Sequence, residues 1–166
     1  AFVETKRFGL PWHSRVVLED LAPDIPADRA LGAEAEAHGL SCDDVVAALG
    51  TLARDLHCAR VRHGDLKASH LMLRPTRNGV EVRLIDLEGV RFARRLADAE
   101  RRLELAQLNA SLPDAFDAGA RRAAFERYAR RLPFGAGTTA TLRWIVEESL
   151  ARRHRWSGTD CHIRRD

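Results

Sequence analysis

Apolar residues recur at helical spacing over residues 43–59, where Val45, Val46, Leu49, Leu52, Ala53 and Leu56 form one inward stripe. Ser41 followed three residues later by Asp44 predicts where that helix starts, because a serine hydroxyl can accept one of the N–H groups that a first turn leaves unpaired. Further on the period shortens. Residues 71–73 and 80–87 read as strands, and Asn78-Gly79 between them suits the positive φ angles of a tight hairpin turn. From residue 94 the pattern is helical again, with segments expected at 94–111, 115–131 and 138–154, broken by Pro113, by Pro133 and by Gly135 with Gly137. Near the start, residues 15–21 read as a short buried strand running into a linker that contains Pro23 and Pro26, a candidate hinge. The pattern therefore predicts an α+β chain, mainly α, with one short β-hairpin.

Composition narrows the class. At 166 residues, 45% hydrophobic and 31% charged, the chain suits one globular domain with a real core. No apolar run approaches membrane-spanning length, and the opening residues lead one to expect no signal peptide. Cys42, Cys58 and Cys161 are odd in number and widely spaced, so neither a disulfide framework nor a zinc site is indicated, and a reducing cytoplasm is the simplest compartment. Charge is uneven: residues 121–166 carry 11 arginines against five acidic residues. Such a face can attract phosphate-rich partners, or it can be no more than the solvated surface of arginine-rich helices.

The candidate chemistry sits around the hairpin. His63-Gly64-Asp65-Leu66-Lys67-Ala68-Ser69-His70 precedes the first strand, and Leu84-Ile85-Asp86-Leu87-Glu88 ends the second. A loop, strand, turn, strand frame of this length brings Asp65 and Asp86 to one end of a two-stranded ribbon. The two stations resemble those of a kinase-type phosphotransferase, where one carboxylate orients and deprotonates the acceptor hydroxyl and the other holds a cation that neutralises the transferring phosphoryl group. His57, Cys58 and His63 are also close in sequence, but their spacing on a helix and the loop after it does not converge on one metal ion.

With residues 49–88, the segment Glu104-Leu105-Ala106-Gln107-Leu108-Asn109 and the ending Arg152-Arg153-His154-Arg155-Trp156-Ser157-Gly158-Thr159-Asp160-Cys161, the chain resembles the lipopolysaccharide core kinases, which phosphorylate heptose or Kdo sugars. The resemblance implies a protein-kinase-like C-terminal lobe over residues 26–166, its β-hairpin carrying the catalytic and metal-binding loops. Residues 1–25 would be a remnant of an N-terminal lobe and hinge. It implies ATP and Mg²⁺ as cofactors, with Asp65 as catalytic base, Lys67 steadying the γ-phosphate and Asp86 as the principal metal ligand. Glu19 and Leu21 at the hinge would contact the nucleotide. His70 stands where most kinases have Asn; Mg²⁺ prefers oxygen, so His70 is open between metal or nucleotide contact and a hydrogen bond to Asp65. Glu88 replaces the Gly of the usual Asp-x-Gly turn, and Glu104 falls where such folds place an acid that anchors the catalytic loop. Nothing before the hinge supplies a Gly-rich loop or a strand lysine, so the chain is expected to begin near the last strand of its N-terminal lobe.

Partners implied are the lipopolysaccharide core glycolipid as substrate and a peripheral contact with anionic membrane, with no nucleic acid, at the cytoplasmic, inner face of the inner membrane. Arg152, Arg153 and Arg155 are the expected membrane contacts. The alternatives are another small-molecule or protein kinase of the same superfamily, or a pseudokinase-like binding module.

Overall fold

The computed structural model describes residues 2–8, 10–16, 20–30, 35 and 37–159. Strands β1 (Phe2–Arg7) and β2 (Leu10–Val16) form an antiparallel pair with a register shift between Thr5 and Lys6. Strand β3 (Ile25–Pro26) follows, then helix α1 (Cys42–Cys58) and β4 (Val61–Arg62). A 3₁₀ turn (Ala68–His70) leads into β5 (Leu71–Thr76) and β6 (Gly79–Leu84), and a second one (Leu87–Gly89) into β7 (Arg91–Phe92). Helices α2 (Asp98–Ser111), α3 (Ala118–Arg131) and α4 (Thr138–Ala151) complete the described chain. The result is an α+β architecture of helices and small antiparallel sheets, with strand orders β1-β2, β3-β5-β6 and β4-β7.

The helix starts follow local chemistry. Ser41 Oγ accepts from Asp44 N at 3.1 Å, and Asp43 and Asp44 place negative charge in the first turn of α1, where the helix dipole favours it. Asp117 Oδ2 accepts from Ala120 N at 3.0 Å and caps α3 in the same way. The hairpin turns at Arg77-Asn78, one residue before the expected Asn78-Gly79, because Gly79 already pairs with Thr76 as the first residue of β6. Pro75 lies within central strand β5 because of its phase. Leu71 O accepts from Ala27 N on the β3 side, so the alternating residues 71, 73 and 75 aim their backbone groups that way. Strand β3 pairs only with Met72 and Leu73 and ends before Pro75, so the missing N–H has no strand to serve.

The strand expected over 71–73 runs on to Thr76, the helix expected over 115–131 starts at Ala118, and the one expected over 138–154 ends at Ala151; three further boundaries bear on the site. The strand expected over 80–87 stops at Leu84, because Asp86 adopts φ 58° and ψ 61° and turns the chain out of the ladder. The helix expected from 94 starts at Asp98, because Arg91 and Phe92 pair with Arg62 and Val61 and Ala93 N bonds to Arg60 O. Of the strand expected over 15–21, Arg15 and Val16 finish β2 and residues 17–19 lie outside the described residues. Asp20 and Leu21 are turn residues: Asp20 Oδ1 accepts from Ala22 N and Leu21 O from Asp24 N.

The main core joins Val45, Val46, Leu49 and Ala53 of α1 to Leu66, Leu71, Leu73, Leu108, Leu112 and Phe116. Leu66, Leu71 and Leu73 are fully buried, each contributing roughly 1.5–3 kcal/mol of transfer free energy. Their burial fixes the residue after Asp65 and the strand into which its loop runs. Helix α1 packs on α3 and β6, and α2 packs on α4. Tyr128, Phe125, Phe134 and Ile145 form a second core. No described helix is long and apolar enough to cross a membrane.

Candidate functional site

One face of α2 is polar where it meets the 63–70 loop. Glu104 Oε1 accepts from Gly64 N at 2.6 Å, Gln107 Nε2 donates to Asp65 Oδ1 at 2.5 Å, and Ser111 Oγ accepts from Ala68 N at 2.7 Å. The spacing 104, 107, 111 puts the three side chains in one row along the helix. The loop is thereby held from beneath at three successive points.

Glu104 is itself locked. Its Oε2 lies 3.0 Å from His57 Nε2, and His57 Nδ1 lies 2.7 Å from Tyr128 OH, with both members of the Glu104–His57 pair essentially without solvent exposure. Arg101 donates to Tyr128 OH and to the carbonyls of Leu132 and Pro133. Burial pushes the Tyr128 phenol up to about 12, against the opposing pull of Arg101. This chain of polar contacts runs from the loop through α1 and α2 to the end of α3. In a low-dielectric interior such a network favours one arrangement only while every member stays paired.

Above the loop, Lys67 Nζ donates to Asp65 Oδ2 at 2.6 Å, so both oxygens of Asp65 are engaged within the protein. Partial burial works to raise the Asp65 carboxyl, but the Lys67 hydrogen bond and charge, with smaller contributions from His70 and His63, outweigh it and hold the group below the ordinary carboxylate value. His70 bridges the two acids. Its Nδ1 lies 3.1 Å from the Asp65 carbonyl oxygen and 3.5 Å from Asp65 Oδ2, and its Nε2 lies 3.3 Å from Asp86 Oδ2. One atom from each of Asp65, His70 and Asp86 fits within a 4.8 Å spread. Asp86 keeps 49% of its side-chain surface in solvent.

The two loops touch backbone to backbone. A Cβ added at Gly64, where φ is +89°, would come within 2.9 Å of Gly89 O, and one added at Gly89 would come equally close to His63 O. Glycine is required on both sides of this contact. The position after Asp86-Leu87 is Glu88, which is exposed; the glycine that meets the Asp65 loop is Gly89, one residue later. Neither Gly89 nor the His57–Tyr128 relay was singled out by sequence pattern, although Gly89 was visible as the glycine nearest after Asp86.

Asp65, Lys67, His70 and Asp86 are thus brought together at one end of the β5–β6 hairpin. Leu21 is partly buried and forms no hydrogen bond or ion pair with these four, and Glu19 lies outside the described residues. His63 is buried and turns its Nδ1 toward Asp65 N at 3.4 Å. The acids stand on an open ledge. An apolar cavity of about 240 Å³, lined by Leu49, Leu108, Phe125, Ile145 and others between the four helices, does not include them. Of the arginines expected at a membrane, Arg152 pairs with Glu148 at 3.1 Å and Arg155 with Asp28 at 3.0 Å.

The family model of the lipopolysaccharide kinase (Kdo/WaaP) family matches residues 1–128. Among solved structures, the chain is similar to one described as WaaP in complex with acyl carrier protein, with 21% sequence identity and a TM-score of 0.64. The match covers 90% of this chain and 66% of that chain, just under two thirds of the relative's length, and at this identity it speaks for the fold. No curated protein matches the chain. With more than three quarters of its length matched, the chain belongs to the lipopolysaccharide kinase (Kdo/WaaP) family.

Proposed function

We propose that residues 26–166 form the catalytic C-terminal lobe of an ATP-dependent kinase that phosphorylates a sugar hydroxyl of the lipopolysaccharide core at the cytoplasmic face of the inner membrane. Residues 1–25 would belong to the N-terminal lobe and hinge, with Glu19 and Leu21 beside the nucleotide. The observation that carries this reading is the convergence of Asp65, Lys67, His70 and Asp86 over a loop that α2 holds at three points.

The donor set suits Mg²⁺ at Asp86. One Asp86 oxygen faces His70 while the side chain remains half exposed, whereas both oxygens of Asp65 already hold protein hydrogen bonds. Because Mg²⁺ takes oxygen ligands, His70 serves to aim the Asp86 carboxylate and to tie it to the loop. Bound there with ATP, the cation would neutralise charge on the phosphates. Asp65, kept ionised by Lys67, would accept the hydrogen bond of the acceptor hydroxyl and orient it for in-line attack. A carboxylate below its usual range is a weak base, so its contribution is mainly orientation, with proton uptake as the hydroxyl becomes acidic in the transition state. Lys67, anchored on Asp65 Oδ2, has two further N–H donors for the transferred phosphoryl group.

The test is transfer of phosphate from ATP to lipopolysaccharide core by the full-length protein. Product formation that depends on Mg²⁺ and is lost in Asp65→Asn and Asp86→Asn supports the assignment. Undiminished transfer in either variant refutes the role given to that residue.

A further inference from the structure

Among the described residues, the widely exposed large hydrophobics are Phe8, Leu87 and Phe92. A single exposed apolar residue is ordinary, but two of these three lie within six residues of one another, on the segment that follows Asp86. Phe92 leaves 84% of its surface in water and Leu87 57%. Arg91, Arg94 and Arg95 on the same segment are exposed, and among the described residues none of their side chains has a hydrogen-bond or ion-pair partner. Arg60 adds a fourth exposed guanidinium, held against the segment by its bond to Arg94 O at 3.3 Å.

This surface does not hang free. It is fastened to the Asp65 loop by the Gly89–Gly64 contact, by the pairing of Phe92 with Val61 and Arg91 with Arg62, and by the bond from Ala93 N to Arg60 O. Apolar side chains flanked by unpaired arginines, on a backbone that is fixed, match what enters the headgroup boundary of an anionic bilayer: the apolar groups insert and the guanidinium groups take phosphate. The location also answers an electrostatic need. Asp65 and Asp86 repel an anionic surface, and the arginines beside them offset that field where such a surface must approach.

We infer that residues 87–95, with Arg60, form the surface by which this protein docks on the phosphate-bearing headgroups of an anionic membrane, next to its candidate catalytic acids. The inference rests on the reading of the acceptor as a membrane glycolipid. It also moves the membrane contact from the C-terminal arginines, two of which are ion-paired, to the active-site edge.

The experiment is co-sedimentation of the full-length protein with vesicles of phosphatidylcholine containing phosphatidylglycerol, at low and high salt, beside thermal melts. Replacing Arg91, Arg94 and Arg95 together by Gln should weaken binding at low salt by roughly fivefold for each charge, with the deficit shrinking as salt rises. Phe92→Ser should weaken binding at both salt concentrations, and its exposure leaves the melt unchanged. Arg152→Gln with Arg153→Gln should bind as wild type. Asp86→Asn should keep vesicle binding while losing transfer, so failure of the catalytic reading and failure of the docking reading are separable. Wild-type vesicle binding in both segment variants, loss in the Arg152/Arg153 variant instead, or a concentration-dependent self-association that the Phe92 variant abolishes would overturn the inference.

Discussion

The 63–70 loop and the 86–95 segment carry the two acids of one site, yet they are built in opposite ways. The loop is held by side chains from below. Glu104, Gln107 and Ser111 each satisfy a loop group, and behind Glu104 stands a buried relay through His57 and Tyr128. The segment is held by its backbone, through the ladder to β4 and the glycine contact, and leaves Asp86, Leu87, Glu88, Arg91 and Phe92 exposed. The difference divides the labour. Asp65 is a preorganised group whose oxygens already have partners; Asp86 is a group with open coordination, available to a ligand from solvent.

Substitutions can break this contrast, beginning with the strongest support. Glu104→Ala leaves the part-buried Gly64 N–H and the buried His57 without their partner and opens a void, which should cost about 3–5 kcal/mol in a denaturant melt. Glu104→Gln, which retains an acceptor of the same shape, should recover part of that loss. Gly64→Ala places a Cβ against Gly89 O at a positive φ and should cost about 1–3 kcal/mol, with Gly89→Ala failing in parallel because the same contact is struck from the other side. Gln107→Leu removes the donor to Asp65 Oδ1 without a comparable loss of packing. We expect kcat to fall about tenfold at nearly constant KM and melting temperature, since an orienting contact is lost.

Acid should sharpen the contrast in the same direction. Asp65, Asp98 and Asp114 all sit below their ordinary values in the fold, Asp65 through Lys67 against burial, Asp98 through Gly135 N–H and Arg101, and Asp114 through Ser157 against burial. A group whose folded pKa is depressed stabilises the fold above its unfolded value, and that stabilisation disappears as pH falls through the folded value. Melting temperature should therefore be flat through neutral pH and decline below about pH 4. Lys67→Met should remove the Asp65 share of that decline. The smallest effect is expected for Asp86→Asn on stability, within about 0.5 kcal/mol of wild type, because that side chain is half exposed.

Much of this arrangement was legible in the chain. The period of Val45, Val46 and Leu49, the Ser41 cap and the Asn78-Gly79 signal located α1 and the β5–β6 hairpin within a few residues, the turn itself falling one residue earlier at Arg77-Asn78, because those signals are local. The convergence of Asp65 and Asp86 followed from the length of the hairpin between them. What pattern did not reveal depends on contacts distant in sequence. Strands β4 and β7 are two residues each and exist only through their mutual pairing, so no periodicity marks them, and the helix start was placed too early as a result. Gln107 and Ser111 lie 42 and 43 residues from the loop groups they bond, but their row with Glu104 at spacing three and four was readable as a polar stripe on a helix whose neighbours Ala106 and Leu108 are buried. His57 and Tyr128 are 71 residues apart, and nothing in either neighbourhood announces the bond.

The central claim, that one acid is closed upon the protein and the other open to a ligand, is tested most directly by ATP binding to the full-length protein with and without Mg²⁺. The account predicts that Asp86→Asn loses the Mg²⁺-dependent part of the affinity, whereas Asp65→Asn keeps it and loses turnover. Equal loss of Mg²⁺-dependent affinity in the two variants, or its loss in Asp65→Asn alone, would contradict it.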